Sequence, residues 1–351
     1  MKGIYRISSG FAFILMLSFA SSLFGRQKDI LFEDEEPLQL ELTTQFKSLK
    51  GSESDTVYFP TFLKYKNESG ATDSVPVNVR ARGNSRRAQC FFMPLWLKIP
   101  KGNSKNTPFQ GNRSLKLVLP CQEGQEYREL VAKEFMAYKL YEVVSPVHFR
   151  TRKVNLTLTD QQNKRKRTYN LSAFVIEDVD EVAKNHDAKK INSGIIFPHL
   201  INDTLAMKQD FFSFMIGNTD WSNTTQHNVR MLDLKNEEKH IPVPYDFDYS
   251  GFVNAPYAVP YDYLPIKSVT ERLYRGVCRD AELTQWVKNE FLEKEDQFFL
   301  TLEQYKTELS EPEFQKAKVY LLDFFQILKS EEAFQSQMIS TCQEYQVGGS
   351  E

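Results

Sequence analysis

The sequence lacks every short signature by which an enzyme is usually recognised. There is no phosphate-cradling GxxxxGK[ST], no dinucleotide-binding GxGxxG, no GxSxG nucleophile turn and no HExxH zinc motif. Cysteine is scarce, and none of the four has CxxC spacing, which argues against a zinc knuckle. The five histidines show no metal-ligand spacing. Net charge is almost absent: 44 basic residues stand against 46 acidic ones, so no nucleic-acid or other polyelectrolyte partner is implied. Beyond the first residues no apolar run is long enough to span a bilayer, and no internal repeat is visible.

What is present begins at the N-terminus. Lys2 and Arg6 precede an apolar run, Phe11 to Phe19, and the small residues Ala20, Ser21 and Ser22 follow. This is the layout of a secretory signal peptide over residues 1–25, cleaved after Ala20, Ser22 or Gly25, and it implies a periplasmic or extracellular protein. An uncleaved anchor is the alternative, although the run is short for a spanning helix. Export permits disulfides. Pairing Cys90 with Cys121 and Cys278 with Cys342 keeps each bridge inside one part of the chain; four buried thiols is the other possibility. Aromatic residues make up 13 % of the chain, including 27 Phe, enough for a large core.

Within residues 26–351 the texture changes at about residue 203, from β-rich to mostly helical. Five β-rich runs, 38–46, 56–65, 75–82, 94–99 and 114–119, are separated by Gly, Asn, Ser or Pro. A helix is expected over 126–144, then a hairpin of strands 154–159 and 168–177 whose basic tip, Lys164 to Arg167, reads as a solvated turn. A second helix over 205–216 leads into Gly217-Asn218-Thr219-Asp220, strands 228–234 and 240–245 follow, and the remainder has helical periodicity.

Two sets of residues carry possible chemistry. Glu134 falls in the middle of the apolar stripe Tyr127, Leu130, Val131, Tyr138 and Tyr141, where a carboxylate needs a cation. Lys116, in a buried-looking strand, is one candidate partner, and such a Lys–Glu pair is what holds ATP phosphates in kinases; Lys98 rivals it. A structural ion pair is the plainer reading. In the second set, Asp246 and Asp248 flank Phe247 at a strand end, downstream of Asp220 and Asn228. If that segment is extended, both carboxylates face one side, about 6.5 Å apart. Paired carboxylates and a carboxamide suit Mg²⁺, and an upstream Asp could orient a hydroxyl, although these residue types more often serve as turn formers.

These residues carry a resemblance. Arg80-Ala81-Arg82-Gly83-Asn84-Ser85 resembles the RxRGNS turn of the CotH-type (spore coat protein H) kinase-like family. Ala173 to Asp178 resembles its strand ending in an acid, here Glu177. Gly217 to Trp221, His227-Asn228 and Ile241 to Asp248 are similar to its GNxD, HN and WDxD blocks. The resemblance implies an α+β, two-lobed protein-kinase-like fold, with a β-rich lobe over 26–180 and a helical lobe over 181–351. It implies an ATP- and Mg²⁺-dependent transferase acting on protein hydroxyls. Asp220 would be catalytic, Asn228, Asp246 and Asp248 would hold metal, and Arg82, Asn84, Ser85, Lys98, Lys116, Glu134 and Glu177 would surround the nucleotide. A kinase-like envelope or surface binding protein without catalysis, and a metal-dependent glycosyltransferase or phosphoesterase, are the competing classes.

Overall fold

The computed structural model describes residues 30–52, 56–67, 69–162, 165–192 and 194–344; the signal-peptide segment and Lys164 lie outside them. The first half supplies seven strands: β1 (Leu38–Thr44), β2 (Phe59–Lys66), β3 (Thr72–Ala81), β4 (Leu95–Lys98), β5 (Ser114–Val118), β6 (Thr151–Gln162) and β7 (Arg165–Ile176). They close into a barrel in the order β1-β2-β3-β4-β5-β7-β6. Alternation explains why. In β1 every second residue is buried, so Leu38, Leu40 and Leu42 face inward while Gln39, Glu41 and Thr43 face water. Valines 75, 77 and 79 of β3 and Leu156 and Leu158 of β6 complete the same interior.

Closure corrects the expected fold. The α+β composition holds, but a two-lobed kinase-like arrangement does not form. β1 pairs antiparallel with β2 and also parallel with β6, Leu38 opposite Val154 through Thr44 opposite Asp160. That second ladder satisfies the backbone groups an open small-lobe sheet would leave at its edges. The strand spans read from the sequence fall close to those observed; the long-range pairing that closes the barrel does not show in local pattern.

The barrel has a second buried surface on its outside. Residues opposite one another across a ladder share a face, and Lys116 lies opposite Trp96 of β4 and Ile176 of β7. Val118, Phe174 and Ile176 on this outer face join the core of the second half, beneath helix α2 (Gln125–Val144). A short helix α1 (Asn84–Gln89) follows β3, and α3 (Val179–Asn185) follows β7. The second half is built on α4 (Asp203–Met215), α5 (Ala281–Glu293), α6 (Glu295–Gln304) and α7 (Glu311–Lys329). It also holds a small sheet in the order β10-β9-β8, formed by β8 (Ala188–Lys190), β9 (Val229–Leu234) and β10 (Ile241–Pro244). Strand β8 extends the β pair expected from the sequence.

Both cysteine pairs are bonded as 90–121 and 278–342. The first ties the end of α1 to the segment after β5, and the second ties the approach to α5 to the chain after α7. Loops of 31 and 64 residues place each bond at roughly 3–4 kcal/mol in a chain-entropy account. Among the described residues no helix is long and apolar enough to cross a membrane.

Candidate active site

The site is built from three chain segments that end at one cleft of about 650 Å³. The first is the end of α4. Asn202 caps its start by accepting from the Leu205 N–H, and Gly217 ends it in a left-handed conformation (φ +62°). There the Asn218 N–H returns to the Ser213 carbonyl at 2.7 Å. A side chain at 217 would strike the Tyr320 hydroxyl as well as strain the backbone. This stop brings Asp220 to the cleft, with Asn218 and Thr219 buried behind it. Asn218 Oδ1 then accepts the Asp220 N–H at 3.0 Å and fixes the turn.

The second segment is the pair of strand ends at the mouth of the small sheet. Asn228 precedes β9 and Asp246 lies just beyond β10, and both are non-glycine residues at positive φ, +49° and +65°. The strand is not extended through Asp248, as the sequence suggested; it stops at Pro244 and turns at Asp246. The turn is held by the Tyr245 N–H on the Asn228 carbonyl and the Asp246 N–H on the Tyr138 hydroxyl. Backbone strain at two facing positions, kept by surrounding hydrogen bonds, is characteristic of a functional site. The third segment runs from Arg82 through α1 and forms the opposite, cationic wall.

Across the cleft the charges are opposed. Arg82 lies 3.7 Å from Asp246, and Arg86 lies 3.7 Å from Asp248 and 3.3 Å from Glu134. Glu134 is thus buried as its stripe position required, but its partner is Arg86 and not Lys116. Burial, partly offset by Arg86 and reinforced by Asp248 and Asp246, pushes the Glu134 carboxyl well above the usual carboxylate range. Asp248 is raised by the same burial and by Asp246, against Arg86 and the Tyr257 hydroxyl, which donates to it at 3.0 Å. Even so, Glu134 Oε1 and Arg86 Nε make no hydrogen bond.

Lys116 is the second correction. Its side chain is buried and has neither an ion-pair nor a hydrogen-bond partner among the described residues. The ammonium sits among rings instead, 4.4 Å from the centroid of Tyr245, 5.2 Å from Phe149 and 5.9 Å from Trp96. Burial, then the like charges of Arg82 and Arg230, lower it to about 7 against the pull of Asp246 and Asp178. Cation–π contact partly replaces the missing counter-ion.

Asp220 is the most engaged of the acids lining the cleft. His227 Nε2 and the Tyr261 hydroxyl both donate to its Oδ1 at 2.8 Å, and Asn228 Nδ2 donates to its Oδ2 at 2.9 Å. Burial alone would raise it, but these donors outweigh burial and hold it below the usual range, while the same bond raises His227. The raised His227 stabilises the fold fully below about 6.5 and loses that contribution as pH rises through its folded value. The lowered Asp220 contributes above about 3.8 and loses it as pH falls further. Because the histidine side chain is 49 % exposed, the pair contributes less than about 1 kcal/mol. An NMR titration of the His227 ring should give a midpoint above 6.5 that falls back toward 6.5 in Asp220→Asn.

Of the residues expected at the site, Arg82, Ser85, Asp220, Asn228, Asp246 and Asp248 line the cleft together. Ser85 does so with its hydroxyl bonded to that of Tyr249. Lys116 and Glu134 stand just behind its walls. Lys98 does not belong: it is exposed on the barrel exterior, with its ammonium over Tyr58. Glu177 is buried but committed to Arg150 (3.0 Å) and Asn185 (2.9 Å). The side chain of Asn84 lies outside the described residues, although its backbone opens α1. Sequence reasoning missed Arg86, Arg230, Tyr257 and Tyr261. Arg86 alone left a legible signal, standing four residues beyond Arg82 in the same basic run.

No family model matches this chain, and no curated protein matches it. The resemblance noted in the sequence therefore rests on its own residues.

The metal question turns on which oxygen atoms are left over. Asn228 spends its Nδ2 on Asp220, and its Oδ1 accepts nothing among the described residues. The Asp246 carboxylate likewise accepts no hydrogen bond among the described residues, with Arg82 3.7 Å away as its ion-pair partner. No group of three or more His, Cys, Asp or Glu side chains among the described residues could hold an ion unaided. Free oxygens of this kind, too few for a cage, fit Mg²⁺ carried in on phosphates.

Proposed function

We propose that the cleft binds ATP with Mg²⁺ and transfers its terminal phosphoryl group to a hydroxyl of an exported protein. The observation that carries this reading is the opposition of walls: Arg82 and Arg86 on one side, with Lys116 buried behind the cleft, and Asp220, Asn228, Asp246 and Asp248 on the other, with hydrogen-bonding capacity unused on both. A polyanion alone would be repelled by the second wall and a cation alone by the first. A metal–triphosphate complex satisfies both.

In this reading Asn228 Oδ1 and Asp246 hold the metal, with Asp248 supporting it, and the metal when bound neutralises phosphate charge and fixes its oxygens. Lys116 loses its desolvation penalty by gaining a phosphate as counter-ion, and takes up a proton as it does so. Arg82 and Arg86 supply planar, multidentate donors to phosphate oxygens. Asp220, kept ionised by its donors, orients the acceptor hydroxyl and receives its proton late in a loose transition state. Phosphoryl transfer asks for positioning and electrostatics above all, which a rigid barrel wall and a strained strand-end pair supply. The apolar leader and the two disulfides support an exported location.

A non-catalytic binding protein is the second reading, favoured by one observation: Asp220 already has three donors, which weakens it as a base. Binding comes first in either case. Thermal unfolding of the full chain with ATP and MgCl₂ should show stabilisation of about 2–3 kcal/mol at 100-fold excess over Kd, lost on chelation. No stabilisation by ATP at any Mg²⁺ concentration would remove the transferase reading.

A further inference from the structure

The loop beyond Gly251 places a hydroxyl where the proposed reaction needs one. Phe252, Val253 and Ala255 anchor its start in the core, while Val259, Tyr261 and Tyr263 stand exposed at the cleft mouth. The rings of Tyr261 and Tyr263 stack, 5.5 Å apart and inclined by 15°. Tyr261 is 45 % exposed, yet its hydroxyl reaches in to donate to Asp220 Oδ1 at 2.8 Å. Tyr249, which also lines the cleft, bonds Ser85, and Tyr257 behind it bonds Asp248. A hydroxyl reaching the candidate catalytic acid from the solvent side occupies the place of an acceptor.

We propose that Tyr261 is a phosphoacceptor of this chain's own site, phosphorylated within the same molecule. The inference rests on the transferase reading above and adds its first acceptor. Tyr261 Oη forms a bond to the γ-phosphorus of ATP, and the bond from that phosphorus to the β–γ bridging oxygen breaks. The electron pair leaves on ADP, and the phenolic proton passes to Asp220 Oδ1. Burial and the bond to Asp220 push this phenol up to about 12, still more acidic than an aliphatic hydroxyl, so it remains the easier acceptor for an acid already weakened as a base. The product has a consequence. Phosphotyrosine adds a charge of about −1.5 to −2 beside Asp220 and Asp262, while Arg82 and Arg86 across the cleft offer it counter-ions. The phosphorylated oxygen has no hydrogen to donate, so the Tyr261–Asp220 bond is lost and Asp220 is freed for an external hydroxyl.

Incubation of the full chain with ATP and MgCl₂, followed by peptide mass spectrometry, should place about one phosphate per chain on Tyr261. Its rate constant should be unchanged across a tenfold range of protein concentration. Tyr261→Phe should lose this phosphate, and Asp220→Asn should form it at least about 100-fold more slowly while still being stabilised by ATP. Stabilisation by ATP with Tyr261 left unmodified, or a rate constant proportional to protein concentration, overturns this inference and leaves the transferase reading standing. Absence of any ATP stabilisation overturns both.

Discussion

Lys116→Met is expected to make the protein more stable near neutral pH and, in the same variant, to weaken ATP binding at least about tenfold. The stability gain follows from the sign of the lysine's shift. Above pH 10.5 the side chain is neutral in folded and unfolded chains and costs nothing. As pH falls toward 7 the unfolded chain binds a proton that the folded chain refuses, so stability is lost across that window. Below about 7 the penalty is complete, and after relaxation it is on the order of 3 kcal/mol. Methionine has similar length, carries no charge and makes favourable contacts with rings such as Trp96, Phe149 and Tyr245. Melting temperature should therefore rise by about 5 °C at pH 6–7, and the gain should vanish near pH 10.5. The affinity loss follows from deleting a charge-assisted hydrogen bond to phosphate. Calorimetry at pH 8 in buffers of different ionisation enthalpy should also show proton uptake with ATP in the wild type and none at this position in the variant. A variant that melts lower at pH 7 would mean that Lys116 has a counter-ion, and that its role is structural.

Asp246→Asn is expected to abolish Mg²⁺-dependent ATP binding, by about 100-fold or more, while leaving the fold intact. Asparagine is the informative replacement because Asp246 sits at φ +65°, which asparagine tolerates and alanine does not. The carboxylate accepts no hydrogen bond among the described residues, so little structure is lost with its charge. Removing that charge relieves like-charge pressure on Asp248 and Glu134 but also takes favourable charge from Arg82, Arg86 and Lys116, so the apo protein should stay within about 1 kcal/mol of the wild type. Titration of ATP at fixed MgCl₂ checks the affinity, and thermal unfolding without ligand checks the fold. Unchanged affinity in a folded variant would displace the metal from this end of the cleft.

Both variants expose the same design. Lys116, Arg86, Glu134 and Asp248 are ionisable groups held under a protein surface with incomplete partners, which is costly to a fold that serves only itself. A ligand of mixed charge removes that cost. The stability that each group withholds from the empty protein becomes part of the binding free energy.

Much of this was readable in the chain. Alternation marked the strands, the 3.6-residue stripe marked α2 and put Glu134 in its buried face, and Gly217 with Asn218 marked the stop that presents Asp220. Compartment logic and proximity in sequence were enough to suggest both disulfides. These are local properties, set by side-chain period, φ preference and turn chemistry within a few residues, so one dimension suffices to state them. Barrel closure was not of this kind. It depends on β1 meeting β6 more than a hundred residues away, and no local pattern distinguishes a parallel closing ladder from an open edge. The partner of Glu134 was decided the same way: Lys116 and Arg86 both stand upstream of it, and only the packing of α1 against α2 brings the arginine to it while leaving the lysine among rings. Period and propensity determine which residues are buried and where the chain turns. Which buried charge meets which is an outcome of three-dimensional approach, and here that approach made the cleft.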